Sequence, residues 1–134
     1  VSAALLAIYA LFVACVVFSP RPVDHSSRGG LLRLISALHD LGLPQAIGYA
    51  EIEFLANVAM FVPLGLLLGL TIGARWWWLA LLICVAGSMS IETLQLAFLP
   101  GRFATFDDIM ANSLGGAAGT IAAGAIYTNR ATGR

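Results

Sequence analysis

The sequence predicts an all-α fold: an integral membrane protein built as an antiparallel four-transmembrane-helix bundle, with a short amphipathic interfacial helix in its first loop. Three observations predict it. Hydrophobic residues make up 60% of the 134 residues and charged residues only 10%, where a soluble domain carries about 25% charged; the mean hydropathy is +0.91. The charges are also clustered, so that Ser2–Phe18, Phe54–Ala74, Trp76–Ile91 and Ile109–Asn129 contain none. Finally, the one long connection between these stretches has an apolar stripe at helical spacing.

A bilayer crossing needs about 20 predominantly apolar residues, within a range of about 17–25. Four spans fit, at about 2–18, 52–73, 76–98 and 106–127. The chain starts at Val1, and the first stretch has a rival reading as a cleaved signal peptide. A basic n-region is missing, and Ser19-Pro20-Arg21 is a poor small-residue cleavage site, so a retained helix is expected. The loop at 19–51 opens with turn-forming Pro20, Pro22, Gly29 and Gly30. Leu31, Leu34, Ile35, Leu38 and Leu41 then share one face of a wheel, with Arg33, Ser36 and Asp40 elsewhere. This predicts an amphipathic helix at about 29–41, ending near Gly42 and Pro44 and lying in the membrane interface or capping the bundle. The whole chain, 1–134, reads as a single transmembrane domain.

Within the spans, Gly65, Gly69 and Gly73 recur every four residues, as do Gly115, Gly119 and Ala123, with Gly116 alongside. Such small-residue seams let helix backbones approach closely in lipid. Pro63 removes a backbone donor inside the second span and predicts a kink, with a neighbour or water serving the freed carbonyl. Arg75 and Trp76-Trp77-Trp78 read as an interfacial belt. All seven cations are Arg. Arg75, Arg130 and Arg134 fall on one side in short segments, whereas Arg21, Arg28, Arg33 and Arg102 are spread over two loops on the other. That density places both termini in the cytoplasm.

A net charge of zero argues against nucleic acid as a partner. Cys15 and Cys84 lie in separate apolar stretches and read as inert thiols, while His25 and His39 read as surface residues; no metal site and no cofactor is read from the sequence.

The informative residues are polar ones inside apolar helices: Asn57 in the second span, Ser88, Glu92 and Gln95 in the third, and Asp107, Asp108 and Asn112 in the fourth. An up-down bundle brings the start of the second span, the end of the third and the start of the fourth to one side of the membrane. Each polar residue lies within roughly 5–12 Å of its helix end, so they are expected to converge in one layer. An acid at a helix centre costs about 2.5–3.5 kcal/mol on insertion scales, and less near the interface. Arg102, in the preceding loop, is the nearest cation to offset it. Each residue also has a structural reading: Thr105-x-x-Asp108 fits a capping box, Asp107 reads as solvated, Asn57 and Asn112 as interhelical glue, and Glu92 as half of an ion pair.

Asn57-x-x-x-Phe61-x-Pro63-x-Gly65, then Glu92-x-x-Gln95, then Gly101-Arg102 followed by Asp107-Asp108-x-x-x-Asn112-x-x-Gly115 resembles the VanZ-like family in motif order, over about 52–127. Ala104-Thr105-Phe106 departs from it, since relatives often carry a further acid before the Asp pair; the Asn112 face favours Asp108 as the key acid. The resemblance implies a small bacterial membrane protein. The founding member is associated with low-level resistance to teicoplanin, a lipid-bearing glycopeptide acting at the outer leaflet.

Three functions follow as expectations. The first is a non-enzymatic envelope protein binding an anionic amphiphile, either a polyprenyl-linked cell-wall precursor or a lipoglycopeptide. Arg102 would meet the anion, with Asn57, Gln95, Asp107 and Asn112 around it. The second is a membrane enzyme on a lipid-linked substrate, with Glu92 as acid or base and Asp108 orienting it; a divalent metal held by this pair is a thin site. The third is a proton-coupled lipid transporter, for which four short helices call for a homodimer.

Overall fold

The computed structural model describes residues 2–18, 24–98 and 105–132, with the backbone alone at 24–28, 31, 74 and 130–132. Every regular element among them is helical: α1 Ser2–Val17, α2 Asp24–Asp40, α3 Tyr49–Ile72, α4 Trp77–Phe98 and α5 Phe106–Thr132, with a single 3-10 turn at Ala74–Trp76 between α3 and α4. Three helices are long and apolar enough to cross a membrane, namely α3, α4 and α5 as far as Asn129, and α1 is a shorter apolar helix.

The boundaries follow local chemistry. α3 starts three residues before the expected 52, because the Gly48 N–H donates to the Glu51 carboxylate at 2.8 Å and satisfies a donor that the first helical turn leaves open. It runs unbroken through Pro63. The Tyr9 hydroxyl donates to the Met60 carbonyl at 2.8 Å, one residue past the Ala59 carbonyl whose helical donor Pro63 removes. At its other end Gly73, with φ of +95°, donates to the Gly69 carbonyl at 2.9 Å. Gly73 therefore terminates α3 and is not part of the glycine seam expected to include it. α2 begins at Asp24, earlier than 29. It ends where Gly42 (φ +104°) and Leu43 donate back to the His39 and Leu38 carbonyls, a Schellman arrangement.

The most extensive packing is α3 on α5, followed by α4 on α5 and α1 on α3; α2 takes no part in these. A Cβ built on Gly65 would collide with Gly116 backbone, one on Gly115 with the Val58 carbonyl, and one on Gly119 with the Val62 carbonyl. Val58 against Gly115, Val62 against Gly119 and Gly69 against Ala123 climb both helices in the same direction, so α3 and α5 run parallel. Ser88 meets Asn112 while Cys84 meets Gly116, so α4 runs opposite to α5. On the other flank Val13 and Val17 pack on Phe61, and Leu6 packs on the Leu68, Ala80 and Cys84 cluster. The outer faces are apolar: Ile8, Leu11, Leu96 and Ile121 are all more than 60% exposed. Side chains of this size on every outer face suit a hydrocarbon solvent and not water.

Candidate functional site

The polar side chains gather where α3 starts, α4 ends and α5 starts. Asp108 lies in the first turn of α5, where the helix dipole favours a negative charge. Its backbone N–H donates to Thr105 Oγ1 at 3.2 Å and the Thr105 hydroxyl returns a bond to Oδ2 at 2.7 Å. The other oxygen, Oδ1, accepts from Asn57 Nδ2 on α3 at 2.7 Å. Capping and cross-helix bonding thus occur at one carboxylate, and both oxygens are engaged. A hydrogen bond to an ionised group contributes about 1.5–3 kcal/mol. Asp107, the neighbouring acid, is exposed.

One turn further into α5, Asn112 is 4% exposed and its Nδ2 donates to Ser88 Oγ on α4 at 2.9 Å. Ser88 itself has no exposed surface. The Asn112 carbonyl oxygen, Oδ1, is buried with no hydrogen-bond partner among the described residues. Glu92 and Gln95 continue the Ser88 face of α4 toward the same end, each 6% exposed. Gln95 Nε2 donates to the Val17 carbonyl at 2.8 Å. That carbonyl belongs to the last turn of α1, which has no helical donor left for it. The antiparallel register that pairs Ser88 with Asn112 puts Glu92 level with Asp108, one turn nearer the helix ends.

The structure therefore joins Asn57 to Asp108 and Asn112 to Ser88, and ties Gln95 to α1. Arg102, the expected cation, lies outside the described residues. Among the described residues, no three His, Cys, Asp or Glu side chains stand close enough to hold a metal ion. Two hydroxyls that sequence reasoning passed over also bind helices together: Tyr9 to Met60, and Tyr127 to the Leu70 carbonyl at 2.7 Å. Their signal was present, since a phenol inside an apolar helix needs a partner for its hydroxyl.

Beside the layer, an apolar cleft of about 300 Å³ opens between α1, α3 and α4. Ala10, Phe61, Leu64, Gly87 and Ile91 line it. Ile91 directly precedes Glu92, so the cleft reaches toward the polar end.

Comparison with known proteins adds a family. Neither the curated proteins nor the solved structures contain a match to the chain. The model of the VanZ/LLP1 family matches residues 6–127. That stretch takes in all of α3 and α4, most of α1 and α5, and every polar residue of the layer, and so the chain belongs to the VanZ/LLP1 family.

Proposed function

We propose that the four apolar helices cross a bacterial plasma membrane as an antiparallel bundle with both termini cytoplasmic, and that the polar end binds an anionic amphiphile at the outer leaflet. The ligand would be a cell-wall lipid precursor or a lipophilic glycopeptide, and its capture would contribute to glycopeptide tolerance. In this reading α2 lies in the interface: Leu34 and Leu38 are exposed on it and Leu41 just beyond its end, while Ile35 of the same stripe is buried, and a partly uncovered apolar stripe suits the boundary between headgroups and chains.

The observation that carries the proposal is the convergence of Asn57, Ser88, Glu92, Gln95, Asp108 and Asn112 at one end of an otherwise apolar bundle. Polar groups inside a membrane domain are costly and mark ligand or ion pathways. The adjacent cleft, with its apolar walls, suits a hydrocarbon chain whose headgroup meets the polar layer. Arg102 would hold the anion. Both oxygens of Asp108 are committed to Asn57 and Thr105, which counts against Asp108 as the residue that orients Glu92 in the acid–base reading.

The test is mass spectrometry of lipids retained by purified protein. Wild type is expected to retain an anionic lipid that Arg102→Ala loses. Equal retention by the two proteins would sink the reading.

A further inference from the structure

The glycines of the bundle are of two kinds. A Cβ on Gly65, Gly69, Gly115, Gly116 or Gly119 would collide with the neighbouring helix, so each is small because another helix stands there. Gly87, in the middle of α4, is different: a Cβ built on it meets nothing within 4 Å. A glycine in a helix interior is destabilising relative to alanine, and no helix contact at Gly87 offsets that. The space it leaves belongs to the apolar cleft between α1, α3 and α4.

The cleft has a floor and a mouth. Phe61 and Cys84, on its floor, are buried, whereas Ala10 on α1 and Ile83 on α4 are exposed at its edge. It therefore opens sideways, onto the apolar outer surface that carries Ile8 and Leu11. α1 packs on α3 far more than on α4, which leaves the gap between α1 and α4 as the way in.

The dimensions select the occupant. On α4 the lining runs from Ile83 to Ile91, about 12 Å along the helix. A volume of about 300 Å³ over that length gives a mean cross-section of about 25 Å². A second helix, about 10 Å across, does not fit. Water needs two to four polar partners, and no described side chain lining the cleft carries a nitrogen or an oxygen. An apolar cavity of about 150 Å³ stays dry and admits benzene, so twice that room takes a chain segment of roughly ten carbons. Voids of this size are rare in native packing, and hydrocarbon is the solvent at the mouth.

We infer that the cleft is a tail site: it takes one hydrocarbon chain of a membrane lipid, entering sideways between α1 and α4, and Gly87 keeps the groove open for it. The inference rests on the membrane placement of the proposed function and deepens its account of the cleft, without depending on an anionic headgroup. The shared chemistry is a single chain, which an acyl lipid or a prenyl lipid can supply.

The test holds the delipidated full chain in micelles of a steroid-based detergent, whose fused rings are too wide for the groove. Trace phosphatidylcholine with a diazirine on one acyl chain is added and photolysed, and adducts are mapped by peptide mass spectrometry. They are expected to concentrate on Phe61, Gly87 and Ile91 over Leu11, Leu96 and Ile121 on the outer faces. Gly87→Leu is expected to lower the cleft adducts about tenfold, the scale of mild overpacking. Gly124→Leu, the same change at a glycine equally open but off the cleft, is expected to leave them unchanged. Unlabelled dipalmitoyl phosphatidylcholine and a long polyprenol then compete; displacement by either supports the tail site, and the stronger competitor names the chain. Adducts spread evenly over the outer faces, cleft adducts that neither competitor displaces, or equal effects of the two folded leucine variants would overturn the inference. A dimer in native mass spectrometry with an unlabelled cleft would give the groove to a second copy and overturn it as well. The wild-type map and its competition decide even where the Gly87 variant does not fold. Both probes carry no net charge, so their failure would leave the anionic headgroup reading standing, and loss of that reading would leave the tail site standing.

Discussion

At the scale of single residues, Asp108 shows how one side chain in a membrane protein serves two ends. Its carboxylate closes the first turn of α5 through Thr105 and reaches α3 through Asn57. The capping half was legible, because Thr105-x-x-Asp108 is a local pattern. Asn57 and Asp108 were legible separately, as polar residues near the same end. Their bond was not, since it spans 51 positions and depends on how the two helices are rotated. A double-mutant cycle with Asn57→Leu and Asp108→Ala, each of which removes one partner of the bond, measures it. The expected interaction energy, from reversible unfolding in mixed micelles, is about 1–2 kcal/mol, at the upper end for intramembrane polar pairs because one partner is ionised. A value near zero would show that the two side chains do not support each other.

At the scale of elements, the α3–α5 seam holds the site together, since it sets the height of Asn57 against Asp108. The repeated glycines predicted close packing but not the partner. Four-residue spacing marks a face without saying which helix covers it, and Gly73, in the same register, lies beyond the end of α3. Long apolar runs gave all four apolar helices to within a few residues, because hydropathy is summed along the chain and is insensitive to packing. The start of α2 was missed by five residues, since Asp24–Gly30 is polar and carries two glycines. The seam makes a graded prediction. Gly119→Ala places a methyl against backbone of Val62 and Leu66, which cannot yield as a side chain would, whereas Gly124→Ala meets nothing within 4 Å. The first is expected to destabilise by about 1–3 kcal/mol or more. The second is expected to be neutral or stabilising by up to about 1 kcal/mol, from helix propensity alone. Equal effects in micelle unfolding would mean that α3 and α5 do not meet at this face.

At the scale of the whole molecule, the proposal needs the polar end on the outside of the cell, and α1 is the critical helix. With 16 residues it is about 24 Å long, against a hydrocarbon core of about 30 Å. Its contacts nevertheless run the depth of the bundle: Leu6 packs on the cluster of Leu68 and Ala80, Tyr9 reaches Met60, and Val17 receives Gln95 at the polar end. A helix lying flat on one surface would meet only one end of α3 and α4. The polar end and Arg75 lie at opposite ends of α3 and α4, so labelling reports the orientation. In a background with Cys15 and Cys84 replaced by alanine, single cysteines at Ser2, Gln45 and Arg75 are exposed to a membrane-impermeant maleimide applied to intact cells. Gln45, in the exposed turn before α3, is expected to react from outside. Ser2 and Arg75 are expected to react only after permeabilisation. Labelling of Ser2 together with Gln45 would show that α1 does not cross. Labelling of Arg75 in place of Gln45 would turn the polar layer to the cytoplasm, where an extracellular glycopeptide could not reach it, and the binding proposal would have to be abandoned in favour of a cytoplasmic ligand.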